Sequence, residues 1–258
     1  MTEPRSVVLL TGLGRQVGIA AGIARRLATD GWDIAFAYSA AYDAEVNGGS
    51  GDIAAIEAGL REQGASLVGI DADLGDADVA SGIFDIAETL GPVRALVLGH
   101  AHSTNAGILT ETIESFDRHF AVNARANWLL VREFGRRFLG EHGRIIALTS
   151  DALHDEIAYG ASKAALDRIV LAAAREFGCL GITANLVNPG PIHTGWMTDD
   201  VREAVLARTP AGRLGTPADT AALVAFLLSP DGQWITGQLL KSDGGFSAPQ
   251  QSWAKSGR

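Results

Sequence analysis

Seven short runs of apolar and β-branched residues punctuate the chain, and stretches with helical spacing of apolar positions fill the gaps between them. The runs fall at residues 7–10, 34–38, 66–70, 95–98, 144–148, 183–187 and 238–241. The periodicity in between predicts helices over 18–29, 53–63, 76–90, 112–139, 159–177 and 217–228. Strand and helix in alternation predict an α/β fold: a doubly wound, seven-stranded parallel sheet with helices on both faces, because each right-handed crossover lays a helix against the sheet. The strand runs are largely apolar throughout, as burial on both faces requires. No Pro/Ser-rich linker or break in composition divides the chain, so one domain over 1–258 is expected. The Gly-rich stretch 47–51 reads as a surface loop. The Ser-, Gln- and Pro-containing tail after Phe246 reads as loosely ordered or as reaching a neighbouring subunit.

Composition narrows the class. Hydrophobic residues make up 47% of the chain and charged ones 20%, which suits a globular protein with a sizeable core. The 30 acidic residues outnumber the 21 basic ones and leave a formal charge of -9. That balance argues against general affinity for nucleic acid or an anionic membrane, while leaving room for a local basic pocket. Cys179 is the single cysteine, so no intramolecular disulfide forms. It reads as a small packing residue at a helix end, and a reducing cytoplasm is the expected compartment. The apolar run at the start is too short for a signal peptide, and no stretch approaches the length of a membrane span.

Candidate chemistry begins directly after the first strand, at T-G-L-G-R-Q-V-G, which carries Gly12, Gly14 and Gly18. A strand, a glycine-bearing turn and a helix start present free amides and a helix dipole to an anion, and glycine lets the backbone approach a pyrophosphate. A tight turn without ligand is the plainer alternative. NAD sites place an acid some way beyond the glycines, about twenty positions on, for the ribose hydroxyls. Here the second strand ends at Tyr38-Ser39, with no acid. Arg15, helped by Ser39, can pair a 2′-phosphate instead, which favours NADP and leaves NAD as second choice. An exposed loop arginine is the bland reading. Asp73, after the third strand, stands at the carboxyl end of the sheet, where ligands collect, or is a turn aspartate.

Tyr159 and Lys163 stand in Y-G-A-S-K within a predicted helix. Residues four apart share a helical face, so phenol and ammonium can point into one pocket. A nearby ammonium favours the phenolate, so a lowered Tyr159 pKa and an acid/base for alcohol–carbonyl chemistry are expected. Two surface residues at helical spacing are the alternative.

In this order the motifs resemble the short-chain dehydrogenase/reductase family nearly end to end. The ending I-T-G-Q-L-L-K-S-D-G-G resembles its bacterial 3-oxoacyl-acyl-carrier-protein reductase-like subgroup. The resemblance implies a single NAD(P)-binding Rossmann domain with a small substrate lid near 194–215, where Trp196, Met197 and Leu206 stand among charges. It implies cofactor contacts from Gly12, Gly14, Arg15, Gly18 and Ser39, with Asp73 and Leu74 at the adenine. Pro189, Gly190, Ile192 and Thr194, with Tyr159 and Lys163, fall on the nicotinamide side. The implied catalytic set is Asn123, Ser150, Tyr159 and Lys163. In that scheme Tyr159 passes the proton and Ser150 helps bond the substrate oxygen. Lys163 lowers the Tyr159 pKa and bonds the nicotinamide ribose, and Asn123 supports a water chain to Lys163. A homotetramer or homodimer is implied as well, built on the helices 112–139 and 159–177.

Three departures qualify the match. Gln16 stands where the family's middle glycine usually does. Gly99-His100-Ala101-His102 replaces the usual Asn-Asn-Ala-Gly after the fourth strand. His100 and His102 read as hydrogen-bonding substitutes; no third ligand at sensible spacing supports a metal site. Ser150 precedes Tyr159 across a shortened loop, with Thr149 as the reserve hydroxyl. His154, Asp155 and Glu156 either line the substrate entrance or form a solvated charged loop, and an acidic entrance disfavours anionic acyl carriers. The leading function is an NADP(H)-dependent oxidoreductase acting on a small-molecule carbonyl or secondary alcohol. A catalytically weak or inactive nucleotide-binding protein, a sensor or scaffold, is the alternative that the 99–102 segment keeps open. A lyase or dehalogenase on the same fold is disfavoured by Lys163 and N-P-G-P-I-H-T.

Overall fold

A computed structural model of the protein describes residues 5–47, 52–152 and 156–249. Most of the expected 47–51 loop, the entrance candidates His154 and Asp155, and the tail from residue 250 lie outside the described residues. The strands are β1 (Ser6–Thr11), β2 (Trp32–Tyr38), β3 (Leu67–Asp71), β4 (Val93–Leu98), β5 (Gly143–Leu148), β6 (Ile182–Asn188) and β7 (Leu239–Lys241). All pair in parallel, in the order β3-β2-β1-β4-β5-β6-β7. The chain winds outward from the centre in both directions, so the turns after β1 and β4 diverge and leave a crevice at the carboxyl ends of these strands.

The helices are α1 (Ile19–Thr29), α2 (Ala40–Asn47), α3 (Ile53–Glu62), α4 (Val79–Ala87), α5 (Ile113–Phe120), α6 (Ala126–Arg137), α7 (Ile157–Glu176), α8 (Asp199–Arg208) and α9 (Pro217–Leu228). Side chains of β1 alternate between two cores. Val7 and Leu9 pack with Phe84 of α4, Leu130 of α6 and Val170 of α7. Val8 and Leu10 pack with Leu27 of α1, Leu60 of α3 and Val224 of α9 on the opposite face. That alternation buries β1 on both faces, which is why its sequence reads as one apolar run. The start of α9 is written locally: Pro217 occupies the first turn, and the Asp219 carboxylate accepts the Thr216 N–H at 2.8 Å.

Helices α2 and α8 were not expected. Both begin at a hydroxyl cap, Ser39 accepting the Tyr42 N–H and Thr198 that of Val201, and α8 has no buried residue at all. Capping, not an apolar stripe, marks them, so periodicity misses them. The expected continuous helix 112–139 is instead α5 and α6 joined through a widened π turn, Ala121–Arg125. The Asn127 amide donates to the Asn123 carbonyl at 2.8 Å there. Such π turns concentrate at functional sites.

Candidate active site

A cleft of about 280 Å³ occupies the crevice beyond β1 and β4. Gly12, Gly14, Arg15 and Gly18 line one side, Ser39, Asp73 and Leu74 another, and Thr194 closes it from the segment after β6. Gly12 has a φ of 81°, and a Cβ there would stand 2.7 Å from the His100 backbone. Only glycine allows the two diverging turns to touch. Gln16 is exposed and lies outside the cleft lining, so the departure at that position leaves the wall unaltered. The Arg15 guanidinium donates to the Thr194 carbonyl at 3.5 Å, which ties the glycine turn to the far wall.

Among the lining residues that sequence reasoning missed are Tyr42 and Asp43 of the unforeseen α2, and Arg118 and Val122. Arg118 grips Asp73 through two bonds of 2.8 and 3.1 Å, and the Gly75 N–H adds a third at 2.8 Å. These donors hold the Asp73 carboxyl below the usual range. Arg118 and Asp73 are 45 positions apart, and no local pattern links them.

The two histidines of the altered segment are both engaged. His100 Nε2 faces the Val122 carbonyl at 3.1 Å, and a carbonyl can only accept, so Nε2 carries the proton. Nδ1 therefore accepts the Thr11 hydroxyl at 2.6 Å. Burial, and then the field of Lys163, hold the His100 pKa down to about 3, so the ring is neutral. His102 is held by its backbone: its N–H donates to Asn123 Oδ1 at 2.7 Å and its carbonyl accepts from Asn123 Nδ2 at 2.8 Å. Its ring lies edge-on to His119, with centroids 4.6 Å apart. The hydrogen-bonding role expected of His100 is thus met by its side chain; at His102 only the main chain bonds, and the ring Nδ1 is buried without a hydrogen-bond partner. Among the described residues no three His, Cys, Asp or Glu side chains gather as a metal site requires.

Behind this wall α7 carries Tyr159 and Lys163. Lys163 is 2% exposed, and its Nζ donates to the Leu148 carbonyl at 2.9 Å and to that of His100 at 3.5 Å. Burial lowers its pKa to about 8, against an opposing pull from Asp167. Tyr159 is hydrogen-bonded to Ser150, yet burial, with the Glu156 charge added, pushes the phenol up to about 12. The expected lowering of the Tyr159 pKa is therefore corrected. Lys163 Nζ lies 5.8 Å from the Tyr159 ring centroid and gives its hydrogen bonds to carbonyls, so desolvation of the phenol wins.

The shortened loop is seated by Gly160. A Cβ on Gly160 would stand 2.2 Å from the Ala152 carbonyl, so the glycine of Y-G-A-S-K makes room for the chain leaving Ser150. Ser150 Oγ accepts the Ala152 N–H at 3.2 Å, and Lys241 holds Asp151 at 2.8 Å. Thr149 donates its hydroxyl to Asp167 and is not a reserve for Ser150. Asn123 reaches the same cluster through Ser162, which it meets at 3.0 Å and which donates to the Tyr159 carbonyl at 2.8 Å. Of the nicotinamide-side candidates, only Thr194 lines the cleft. Pro189, Gly190 and Ile192 lie outside its lining, with Gly190 turned by the Asn188 carboxamide and Ile192 bridged to Gly215. Cys179, expected to pack at a helix end, is exposed, because the short 3-10 turn after α7 points it outward.

This chain belongs to the short-chain dehydrogenase/reductase family of oxidoreductases. A family model described as enoyl-(acyl carrier protein) reductase matches residues 12–247. The uncharacterized oxidoreductase YjdA of Bacillus subtilis (strain 168) is 38% identical over 248 residues, covering 93% of this chain and 96% of that protein. A chloroplastic NADPH-dependent aldehyde reductase-like protein of Arabidopsis thaliana is 34% identical over 260 residues, covering 93% of each. A short chain dehydrogenase of Burkholderia cenocepacia J2315, solved in complex with NADP, superposes with a TM-score of 0.84 at 33% identity, covering 96% of this chain and 100% of that one.

Proposed function

We propose that this protein is an NADP(H)-dependent oxidoreductase that interconverts a carbonyl and a secondary alcohol by hydride transfer, with Tyr159 as the acid/base. The observation that carries the reading is the Ser150–Tyr159 bond beside the buried Lys163, directly behind a glycine-lined cleft bearing Arg15 and Ser39. The cleft suits a dinucleotide phosphate, because the start of α1 presents amides to it, Gly12 keeps the turn free of a side chain, and Arg15 supplies a cation for a 2′-phosphate. Gly12, Gly14, Gly18, Arg15 and Ser39 would hold its phosphates, Asp73 and Leu74 the adenine end, and Pro189, Gly190, Ile192 and Thr194 the nicotinamide end. Bound NADPH supplies the hydride. The Burkholderia neighbour, solved with NADP, supports this cofactor over NAD.

In the reductive direction Tyr159, protonated at neutral pH, gives its proton to the substrate oxygen, and Ser150 bonds the same oxygen. Lys163, cationic below about pH 8, offsets the charge left on the phenol and would bond the nicotinamide ribose of the bound cofactor. Asn123 is assigned to the proton path toward Lys163. Its own carboxamide is engaged by His102 and Ser162, so it acts by positioning, and any relay water takes its bonds from other groups.

The test is NADPH consumption over a panel of aldehydes, ketones and α,β-unsaturated thioesters, run beside Tyr159→Phe. Turnover of aldehydes or ketones that Tyr159→Phe abolishes is expected. Consumption with the unsaturated thioesters alone would overturn the carbonyl reading, in favour of the double-bond chemistry in the family description. NADPH binding with no turnover on any member would favour the second reading, a nucleotide-binding sensor or scaffold, which the replaced 99–102 segment supports.

Three further assignments belong to the proposal. Residues 194–215 form a substrate lid, supported by α8, which buries none of its residues. The protein is a homodimer or homotetramer, supported by exposed Ile113, Phe116 and Trp128 on α5 and α6, and light scattering that finds a monomer would refute it. The compartment is the cytoplasm, in keeping with the lone cysteine; among the described residues no helix is long and apolar enough to cross a membrane.

A further inference from the structure

The buried cluster holds one ionisable group for which the proposed chemistry has no use. Asp167 stands one helical turn beyond Lys163 on α7, half-buried, and accepts the Thr149 hydroxyl. Thr149 directly follows Leu148, whose carbonyl takes Lys163 Nζ at 2.9 Å. Two bonds one turn apart therefore fasten α7 to the end of β5: an ammonium on a carbonyl, and a hydroxyl on a carboxylate. The two charges also act on each other. Asp167 favours the Lys163 ammonium; burial raises the Asp167 carboxyl, and the Thr149 bond and then Lys163 pull it back toward the carboxylate.

Among the described residues the remaining titratable neighbours leave Asp167 alone in this part. Tyr159 on the same helix is protonated at neutral pH, His100 from the turn after β4 is a neutral ring, and Arg168 acts on Asp167 itself. The hydrogen-bond partners of Lys163 are carbonyls, which carry no net charge. An ammonium taken out of water sheds its proton unless an anion stands near it.

We infer that Asp167 is a positioning residue whose carboxylate keeps Lys163 cationic inside its dry pocket. The inference rests on the role given to Lys163 above. Two near-isosteric variants separate charge from packing. Asp167→Asn keeps an acceptor for Thr149 and removes the charge, whereas Thr149→Val removes the bond and keeps the charge.

The chain has only three lysines, Lys163, Lys241 and Lys255, so lysine-selective 13C labelling gives three side-chain signals. A pH titration of the Lys163 signal, assigned by its loss in Lys163→Met, reads the ammonium directly and needs no turnover. A midpoint near 8 is expected in the parent protein. Asp167→Asn should lower it by roughly one pH unit, the size of shift a single nearby charge produces. Thr149→Val should move it by much less. The alkaline fall of kcat/KM should shift with the NMR midpoint in each variant. An unmoved midpoint in Asp167→Asn overturns the inference, and so does an equal shift in Thr149→Val. Asp167→Ser removes the same charge if the amide is not tolerated. Absence of turnover beside a shifted midpoint would refute the proposed reaction and leave the role of Asp167 standing.

Discussion

A single side chain answers both backbone polar groups of its neighbour: Asn123 Oδ1 takes the His102 N–H at 2.7 Å, and Asn123 Nδ2 gives to the His102 carbonyl at 2.8 Å. The second amide hydrogen goes to Ser162, which bonds the Tyr159 carbonyl. One fully buried carboxamide thus fixes the cleft wall against the helix that carries the acid/base. Asn123→Ala would strand these groups, and unmet buried polar groups are costly. A loss of about 2–4 kcal/mol in urea unfolding is expected, with weaker NADPH binding. A loss under about 0.5 kcal/mol, the range of surface substitutions, would show that the clamp carries no weight.

Tyr159→Phe removes the proton donor and leaves the cleft lining intact, because Tyr159 does not line it. The reductive kcat should fall by about 10²–10⁴-fold, while the NADPH Kd stays nearly unchanged in a fluorescence titration. With Tyr159 at about 12 and Lys163 at about 8, the parent kcat should be level through neutral pH and decline above pH 8. A rate that climbs steadily from pH 8 to 10 would contradict that assignment.

Gly160→Ala places a Cβ where the Ala152 carbonyl now sits, 2.2 Å away. The loop must move and carry Ser150 with it. A fall of roughly 10- to 100-fold in kcat/KM for the carbonyl, with NADPH affinity retained, is the expected outcome, in line with the effect of ångström-scale misplacement. Equal losses in both would place the damage elsewhere.

His100 makes stability depend on pH. Its folded pKa of about 3 lies below the unfolded value of 6.5, so between these limits the unfolded chain binds more protons. The stability from the neutral buried ring is complete above pH 6.5 and lost as pH falls toward 3, on the order of a few kcal/mol. Urea unfolding from pH 7 to 4 should show this slope. His100→Asn should flatten it, and an unchanged slope in that variant would assign the acid sensitivity to other groups.

Arg15→Ala should separate the two cofactors. Loss of a charge-assisted bond to phosphate is worth about 1.5–3 kcal/mol, so the NADPH Kd should rise by roughly 10- to 100-fold and the NADH Kd hardly at all. Equal effects on both would remove Arg15 from the 2′-phosphate. They would also shift attention to Asp43, the acid in the cleft that lies beyond the strand end.

All seven strands lie within two residues of the sequence expectation. A strand buried on both faces must be apolar along its length, and that mark survives without knowledge of the fold. The pairing of Tyr159 with Lys163 was legible for a similar reason, since one helix sets their spacing. The glycine turn was legible because a backbone that must touch its neighbour excludes a Cβ.

What the sequence by itself determined is therefore whatever a local period or a single steric rule encodes: the sheet, most helices and the family of the site. Only the tertiary structure decided the grip of Arg118 on Asp73, the Asn123 clamp on His102, the Thr149–Asp167 bond and the seat of the loop on Gly160. Each joins residues that different elements bring together, and no periodicity runs between them. The direction of the Tyr159 shift belongs to the same group. A neighbour four residues away can be read from a helix, but desolvation depends on everything packed around the phenol, and that is set only when the chain has folded.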